Sequence, residues 1–268
     1  GLPWEPCDGL RNPSAIEEGD APRHDKMADA VKALGLALYL CKEDTATCEA
    51  FEAKAAQVMR TWFLDNSTAM LPDLYYGQID PKPTPPAKGH GGFIEWSTDD
   101  EFLDGVALLN AASSGTYWTA DDQAALKAWY KQLEVYVEGP VANGEREMAN
   151  NHGSWFDATW GSLALFTGNT DSAVAAANES CWRRIATQIL PNGTEWIEVQ
   201  RASPAGYCIY NLAALSHNAD LAAFGGVGID VWRFETADGR SLAKALDWLL
   251  VYALGKEKWP YPQLGPES

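Results

Sequence analysis

Residues 119–136 read TADDQAALKAWYKQLEVY, and this stretch decides the fold class. Thr119 stands just before two acidic residues, a pattern typical of a helix start, because carboxylates are favourable near the positive end of the helix dipole. Leu126, Trp129 and Leu133 then recur three or four residues apart, which places them on one helix face. The stretch therefore predicts an amphipathic α-helix.

The same periodicity runs through nearly the whole chain. Apolar faces at helical spacing recur over residues 27–38 and 51–62, and residues 98–101 read TDDE, the form of a capping box. Further helical patterns cover residues 154–167, 171–189, 205–223 and 240–254. Residues 195–201 break the period and allow one short strand pair. The pattern predicts an all-α protein.

The connections alternate between short turns and long loops. Residues 65–92 form the longest loop, and its proline-rich run over residues 80–86 excludes a helix. Long ordered loops usually form walls or lids of a site. About eight helices in sequential hairpins, with long cleft-forming loops at one end, predict an α/α toroid or barrel. We expect a single domain over residues 1–268, with an irregular N-terminal segment over residues 1–23.

Composition and charge exclude several classes of protein. Of 268 residues, 46 % are hydrophobic, which suits one contiguous core. The longest apolar run, residues 34–41, is too short to cross a bilayer, so we expect no membrane insertion. The formal net charge of −17 repels nucleic acid and anionic lipid. It also repels acidic polysaccharide, so a polyuronate site requires a local cluster of basic and amide groups.

Cysteines and sequons indicate an extracellular protein. Cys41 and Cys48 flank a short polar stretch between two helical patterns, where a disulfide is expected; the alternative is two separate buried thiols. N-glycosylation sequons begin at Asn66, Asn178 and Asn192. No basic segment followed by an apolar stretch opens the chain, so we expect any secretion signal to have been removed. The prediction is a secreted monomer.

Residues 150–157 read NNHGSWFD and form the most informative segment for function. Two amides and an imidazole come just before Gly153, and glycine lets a backbone turn sharply. The side chains of this segment can therefore point into a cavity. The alternative is a helix cap rich in asparagine, with His152 packed on Trp155.

Residues 201–211 read RASPAGYCIYN and form a second candidate segment. Pro204 suits the first turn of a helix, so Tyr207 and Tyr210 share one face, and Arg201 lies just before that turn. The alternative is a pair of half-buried core tyrosines beside a solvated arginine.

From about residue 60 to residue 263 the chain resembles the alginate lyase domain family of polysaccharide lyases. Several separated motifs in the right order carry the resemblance: RTWFLD at 60–65, LYYGQ at 74–78, NNHG at 150–153, RRIATQI at 183–189, RASPAGYCIYN at 201–211, VWRFETADGRSL at 231–242 and WPY at 259–261. The resemblance implies an incomplete α/α toroid that cleaves an anionic polyuronate by β-elimination.

The resemblance also implies roles for particular residues. The four catalytic residues are expected to be Asn151, His152, Arg201 and Tyr207. Tyr76 and Gln78 match family positions and are expected to bind sugar. By their chemistry and position in the two segments, Asn150, Trp155 and Tyr210 are expected to make further substrate contacts.

These residue types suit the chemistry of elimination, which removes the C5 proton of a uronate and expels the oxygen at C4. Asn151 and Arg201 can stabilise the charge that develops on the carboxyl group, and loss of one such donor typically costs roughly 3–4 kcal/mol. In mannuronate or glucuronate, proton and leaving oxygen share a face, so Tyr207 can be both base and acid if Arg201 and His152 lower its pKa. In guluronate the faces differ, and His152 would be the base.

Aromatic residues and histidines complete the predictions for the site. Exposed tryptophan suits sugar stacking, and a groove lined by some of Trp96, Trp118, Trp155 and Trp160 is expected. The four histidines show no spacing typical of metal ligands. We therefore predict an enzyme without a metal or other cofactor.

Polymannuronate-type alginate is the favoured substrate because the resemblance points to it. Glucuronan is an alternative for the same mechanism, since glucuronate and mannuronate differ only at C2. Two other classes stay open: an α/α glycoside hydrolase that uses two carboxylates, and a non-catalytic carbohydrate-binding domain.

Overall fold

The computed structural model describes residues 8, 20–42, 45–74, 93–97, 99–140 and 142–263, and they are mainly helical. In chain order the α-helices are α1 (Ala21–Leu40), α2 (Thr45–Met59), α3 (Asp99–Ala112), α4 (Ala120–Val137), α5 (Asn143–Arg146), α6 (Asn151–Thr167), α7 (Thr170–Glu179), α8 (Ala186–Gln188), α9 (Pro204–Phe224) and α10 (Leu242–Ala253). The π-helical segments Arg60–Leu64 and Ser180–Ile185 continue α2 and α7, and 3-10 turns cover Phe93–Trp96 and Glu198–Gln200. The all-α prediction is confirmed.

The short strand pair that residues 195–201 allow does not form. Among the described residues, extended pairing is limited to isolated bridges, which join Ile189 to Glu195 and Glu235 to Ser241. Beyond Glu195 the chain enters the 3-10 turn at Glu198–Gln200, because the carboxylate of Glu198 turns inward and accepts hydrogen bonds from the start of α6.

Helix α4 begins where the sequence predicts. The hydroxyl of Thr119 accepts a hydrogen bond from the backbone N–H of Asp122, whose carboxylate accepts one from the N–H of Thr119, so the capping box is complete. Arg60 donates two hydrogen bonds to the Asp122 carboxylate, which ties the end of α2 to the start of α4. Leu126 and Leu133 are buried, which stabilises the fold by roughly 1.5–3 kcal/mol per side chain.

The parallel helices α6 and α9 carry the two candidate segments at their N-terminal ends. Trp155 and Tyr210 meet near those ends, with ring centroids 5.0 Å apart. Towards the C-terminal ends, Leu165 approaches the backbone of Gly225. Because the two helices contact each other near both pairs of like ends, their first turns lie at the same end of the molecule.

Several tryptophans expected at a groove belong to the hydrophobic core. Trp96, Trp118 and Trp160 are buried, so the groove prediction is wrong for these three. All three belong to the main hydrophobic core, where large apolar side chains stabilise helix packing. Trp96, for example, stacks on His24 of α1 with ring centroids 3.7 Å apart. Trp155 is only partly buried.

The disulfide between Cys41 and Cys48 is confirmed, with Cα atoms 5.8 Å apart, and it closes the turn between α1 and α2. Cys181 and Cys208 are buried free thiols. Cys7 lies outside the described residues.

A buried ion pair joins α6 to the segment after α7. Arg184 and Asp157 are both fully buried, and the guanidinium donates to the two carboxylate oxygens over 2.8 and 2.9 Å. Arg184 also donates to the carbonyl oxygens of Met148 and Arg146. It therefore fixes the backbone that leads into α6.

We expect Asp157→Asn to lower the free energy of unfolding by about 3–5 kcal/mol, because it leaves the buried charge of Arg184 uncompensated. Urea unfolding followed by circular dichroism measures the loss. Glu147→Gln is the matched control, since it removes an exposed partner of the neighbouring Arg183 and should cost less than about 1 kcal/mol. Equal losses in the two variants would contradict the conclusion that the buried Arg184–Asp157 pair stabilises the fold more than an exposed ion pair does.

Candidate active site

The start of α6 is held by two side-chain contacts. Asn150 is the N-cap, and its side-chain oxygen accepts from the N–H of His152 at 3.3 Å. Glu198 accepts from the backbone N–H of Asn151 at 2.6 Å and from its side-chain nitrogen at 2.9 and 3.0 Å. Asn151 is 1 % exposed, so in this conformation its amide nitrogen binds Glu198 and is not turned towards the cleft.

His152 reaches solvent, with 24 % of its side chain exposed. Its Nδ1 lies 2.8 Å from Oε2 of the buried Glu145. A carboxylate at this position favours the proton on Nδ1, which leaves Nε2 as the nitrogen with a lone pair. The ring is therefore oriented in the way that a general base requires.

Gly153 is needed for space and not for a sharp turn. It lies inside α6 with ordinary helical geometry, unlike the glycines at positive φ. A Cβ atom here would lie 2.2 Å from the carbonyl oxygen of Met148 and 2.4 Å from a guanidinium nitrogen of Arg184. The expected reason for this glycine was wrong, because the constraint is the close approach of the Arg184 side chain.

Arg201 and Tyr207 form a stacked pair before and within the first turns of α9. The Arg201 Cζ atom lies 3.7 Å from the centroid of the Tyr207 ring, within range of a cation–π interaction. The guanidinium is also 3.9 Å from Glu198. Tyr207 is partly buried, so its phenol is not sealed from solvent.

A carboxylate of the protein itself, that of Asp8, is bound by this pair. Asp8 accepts hydrogen bonds from Nε and Nη2 of Arg201, and from the backbone N–H of Ala202 at 2.8 Å. The hydroxyl of Tyr207 lies 3.5 Å from the same carboxylate. Arg201, Ala202 and Tyr207 thus surround one carboxylate from three directions.

The expected lowering of the Tyr207 pKa is wrong for this arrangement. Burial raises the pKa of Tyr207, the charge of Arg201 opposes that rise, and the neighbouring Asp8 carboxylate adds to it. The hydrogen bond from Arg201 in turn lowers the pKa of Asp8. The ionisation of the phenol therefore depends on whether Asp8 is in place.

The structure thus brings three of the four predicted catalytic residues into one chain of contacts. Asn151 bonds to Glu198, Glu198 lies beside Arg201, and Arg201 stacks on Tyr207. His152 follows Asn151 directly in the first turn of α6.

Of the five predicted substrate-binding residues, the structure describes Asn150, Trp155 and Tyr210. Tyr210 lies beside Trp155, and its hydroxyl is 3.3 Å from the Ser97 hydroxyl. Tyr76 and Gln78 lie outside the described residues. Their predicted contacts with sugar stay predictions.

Glu145, Glu198 and Asp8 were missed by sequence reasoning. By its local pattern each is an ordinary acidic residue. The one local signal concerns Glu198, which lies with Glu195 in a stretch that breaks the helical period.

A cavity of about 830 Å³ lies away from the candidate catalytic residues, towards the C-terminal ends of α6 and α9. Asp100, Asp104 and Asp220 line it, against the basic groups of Lys127 and His217. This excess of acid does not suit a polyanion.

Neither a metal site nor a membrane helix is found in the part of the chain that the structure describes. No group of three or more histidine, cysteine, aspartate or glutamate side chains there is arranged to hold a metal ion. No helix there has the length and hydropathy needed to span a membrane.

A family model described as alginate lyase matches residues 1–259. The chain belongs to the alginate lyase family. The solved structure of an alginate lyase from Bacteroides ovatus is similar to it, with a TM-score of 0.87 and 33 % sequence identity; the match covers 98 % of this chain and 67 % of that chain. A comparison with curated proteins gives no match.

Family membership settles the enzyme class and the type of fold. The chain is a polysaccharide lyase, and its helical hairpins form the all-α toroid of the alginate lyase family. The resemblance inferred from the separated motifs is confirmed.

We expect Gly153→Ala to lower the free energy of unfolding by about 1–3 kcal/mol, because the methyl group overlaps Met148 and Arg184. Gly161→Ala is the matched control in the same helix, since its Cβ would meet its nearest atoms at 3.5 and 3.6 Å. This variant should be neutral, or more stable by up to about 1 kcal/mol. Thermal unfolding of both proteins decides the matter, and a neutral Gly153→Ala would refute the steric argument.

Proposed function

We propose that this lyase cleaves an anionic polyuronate, with polymannuronate-type alginate favoured, by β-elimination between C4 and C5. The observation that carries the proposal is the carboxylate bound at Arg201, Ala202 and Tyr207. A site that holds the Asp8 carboxylate has the donors needed to hold the carboxylate of a uronate. The name of the Bacteroides ovatus structure, an alginate lyase, supports the same substrate class.

The substrate carboxylate takes the position of Asp8 in this proposal. Arg201 and the N–H of Ala202 then stabilise the negative charge that grows on that carboxylate as the C5 proton leaves. Asn151 contributes indirectly in the conformation described, because its amide nitrogen is bonded to Glu198.

Proton transfer falls to Tyr207 and His152. For mannuronate, the phenolate of Tyr207 takes the C5 proton, and the electrons of the C5–H bond form the C4–C5 double bond. The C4–O bond breaks, and the leaving oxygen receives the proton from the Tyr207 hydroxyl. For guluronate, Nε2 of His152 takes the C5 proton from the opposite face, and Tyr207 acts only as the acid.

The glycoside hydrolase alternative finds little support at this site. Hydrolysis requires two carboxyl groups that face the sugar, one on each side of the bond that is cleaved. Glu145 and Glu198 are each 1 % exposed and bonded to His152 and Asn151 respectively.

We also propose that the protein is secreted and acts as a monomer. The Cys41–Cys48 disulfide suits an oxidising compartment, and the three sequon residues Asn66, Asn178 and Asn192 are exposed.

A lyase assay tests the proposed function directly. Wild-type protein incubated with polymannuronate, polyguluronate or glucuronan should release unsaturated uronate ends, which absorb ultraviolet light. Tyr207→Phe should lower kcat at least roughly a hundredfold, because it removes the proton-transferring hydroxyl. The exposed Tyr39 serves as the control, and Tyr39→Phe should keep full activity. Cleavage without a double bond would indicate a hydrolase, and binding without cleavage a carbohydrate-binding domain.

Asp8→Asn should lower KM, because Arg201 no longer pairs with a protein carboxylate. It should also shift the pH profile. Asp8 raises the pKa of Tyr207 in the free enzyme, so its removal lowers that pKa. The limb of kcat/KM that rises as the phenolate forms therefore moves to lower pH, because kcat/KM reports the free enzyme. Asp20→Asn is the control, because Asp20 pairs with Arg23 outside the site. An unchanged KM and pH profile would count against the exchange of carboxylates.

A further inference from the structure

Glu198 joins the two candidate segments without lying at the surface of the site. It is 1 % exposed and stands at the first position of a 3-10 turn. One of its oxygens accepts from both nitrogens of Asn151, and the other accepts from the Asn151 side chain and lies 3.9 Å from Arg201. A single carboxylate therefore contacts the start of α6 and the residue that binds Asp8.

We infer that Glu198 is a positioning residue for the elimination reaction, which fixes Asn151 and Arg201 relative to each other. The inference rests on the proposed function. Glu198 satisfies a backbone N–H in the first turn of α6, a position where a negative charge is favoured by the helix dipole. Because His152 is the next residue of that turn, Glu198 also fixes the position of its imidazole along the helix axis.

The role requires an ionised carboxylate and not only a side chain of the right size. All three hydrogen bonds at Glu198 come from donors of Asn151, so both oxygens act as acceptors. A glutamine here would turn an NH₂ group towards one of these donors. Burial raises the pKa of Glu198, while the bonds from Asn151 and the charge of Arg201 oppose that rise.

The same turn supplies a matched control. Glu195 is also 1 % exposed, but its carboxylate accepts from the side chain of Asn211 at 2.6 Å instead of from Asn151. Burial raises the pKa of Glu195 to about 8, so this group is largely protonated at pH 7. Glutamine is therefore a close substitute at position 195 and a poor one at position 198.

The experiment compares Glu198→Gln with Glu195→Gln at pH 7 on the best polyuronate found for the wild type. Glu198→Gln should lower kcat by about a hundredfold, the typical effect of displacing a catalytic group by about 1 Å, with a smaller change in KM. Glu195→Gln should stay within about twofold of wild type in kcat. Glu198→Asp, which keeps the charge, should recover part of the lost kcat.

A double-mutant cycle with Asn151→Ala separates positioning from general destabilisation. If Glu198 acts through Asn151, adding Glu198→Gln to Asn151→Ala should lower kcat much less than it does in the wild type. Additive effects, equal losses in the two glutamine variants, or a loss of kcat explained by the fraction unfolded at the assay temperature would overturn the inference. A wild type without lyase activity on any of the three polymers would instead overturn the proposed function, and this inference with it.

Discussion

Arg184 donates hydrogen bonds to Asp157 in α6 and to the carbonyl oxygens of Met148 and Arg146 in the segment before that helix. A guanidinium withdrawn from water is stable only when nearly all its donors are paired, so the backbone must follow one path past it. That path ends at Asn150 and sets the direction in which His152 leaves the helix. Gly153 is the sequence consequence of this arrangement, because no side chain fits between α6 and the guanidinium.

Glu198 is a second buried ionisable residue, and it positions the start of α9 as Arg184 positions the start of α6. Glu198 bonds to Asn151 and lies near Arg201, so the turn before α9 is positioned by the first residue of α6. Gln188 adds a neutral link, since it accepts from Ser154 and Asn211 and donates to the carbonyl of Asn150. Buried polar groups of this kind tolerate few alternative arrangements, because each broken bond leaves an unpaired group without water. The buried side of the site is therefore hydrogen-bonded through Glu198 and Gln188, while His152 and Tyr207 stay partly exposed to solvent.

Much of the fold could be read from the sequence, since helix starts and apolar faces are local patterns. The capping box at Thr119 and the disulfide between Cys41 and Cys48 involve residues at most a few turns apart. Contacts that depend on which helices are neighbours could not be read in this way. Nothing near Glu198 in sequence shows that its partner is Asn151, and nothing near Trp118 shows that it is fully buried. The matched motifs identified His152, Arg201 and Tyr207 as a set, but not the acidic residues that orient them.

The overall charge of −17 is compatible with a polyanionic substrate if binding exchanges one carboxylate for another. Arg201 already pairs with Asp8, so a uronate carboxylate that replaces Asp8 leaves the number of charges around the guanidinium unchanged. The ground state then gains little from the exchange. Elimination differs, because charge accumulates on the substrate carboxylate as the C5 proton leaves, and a fixed guanidinium stabilises that extra charge more than the starting state. An arginine balanced by an acid of the protein therefore favours the transition state over tight substrate binding, as catalysis of elimination requires.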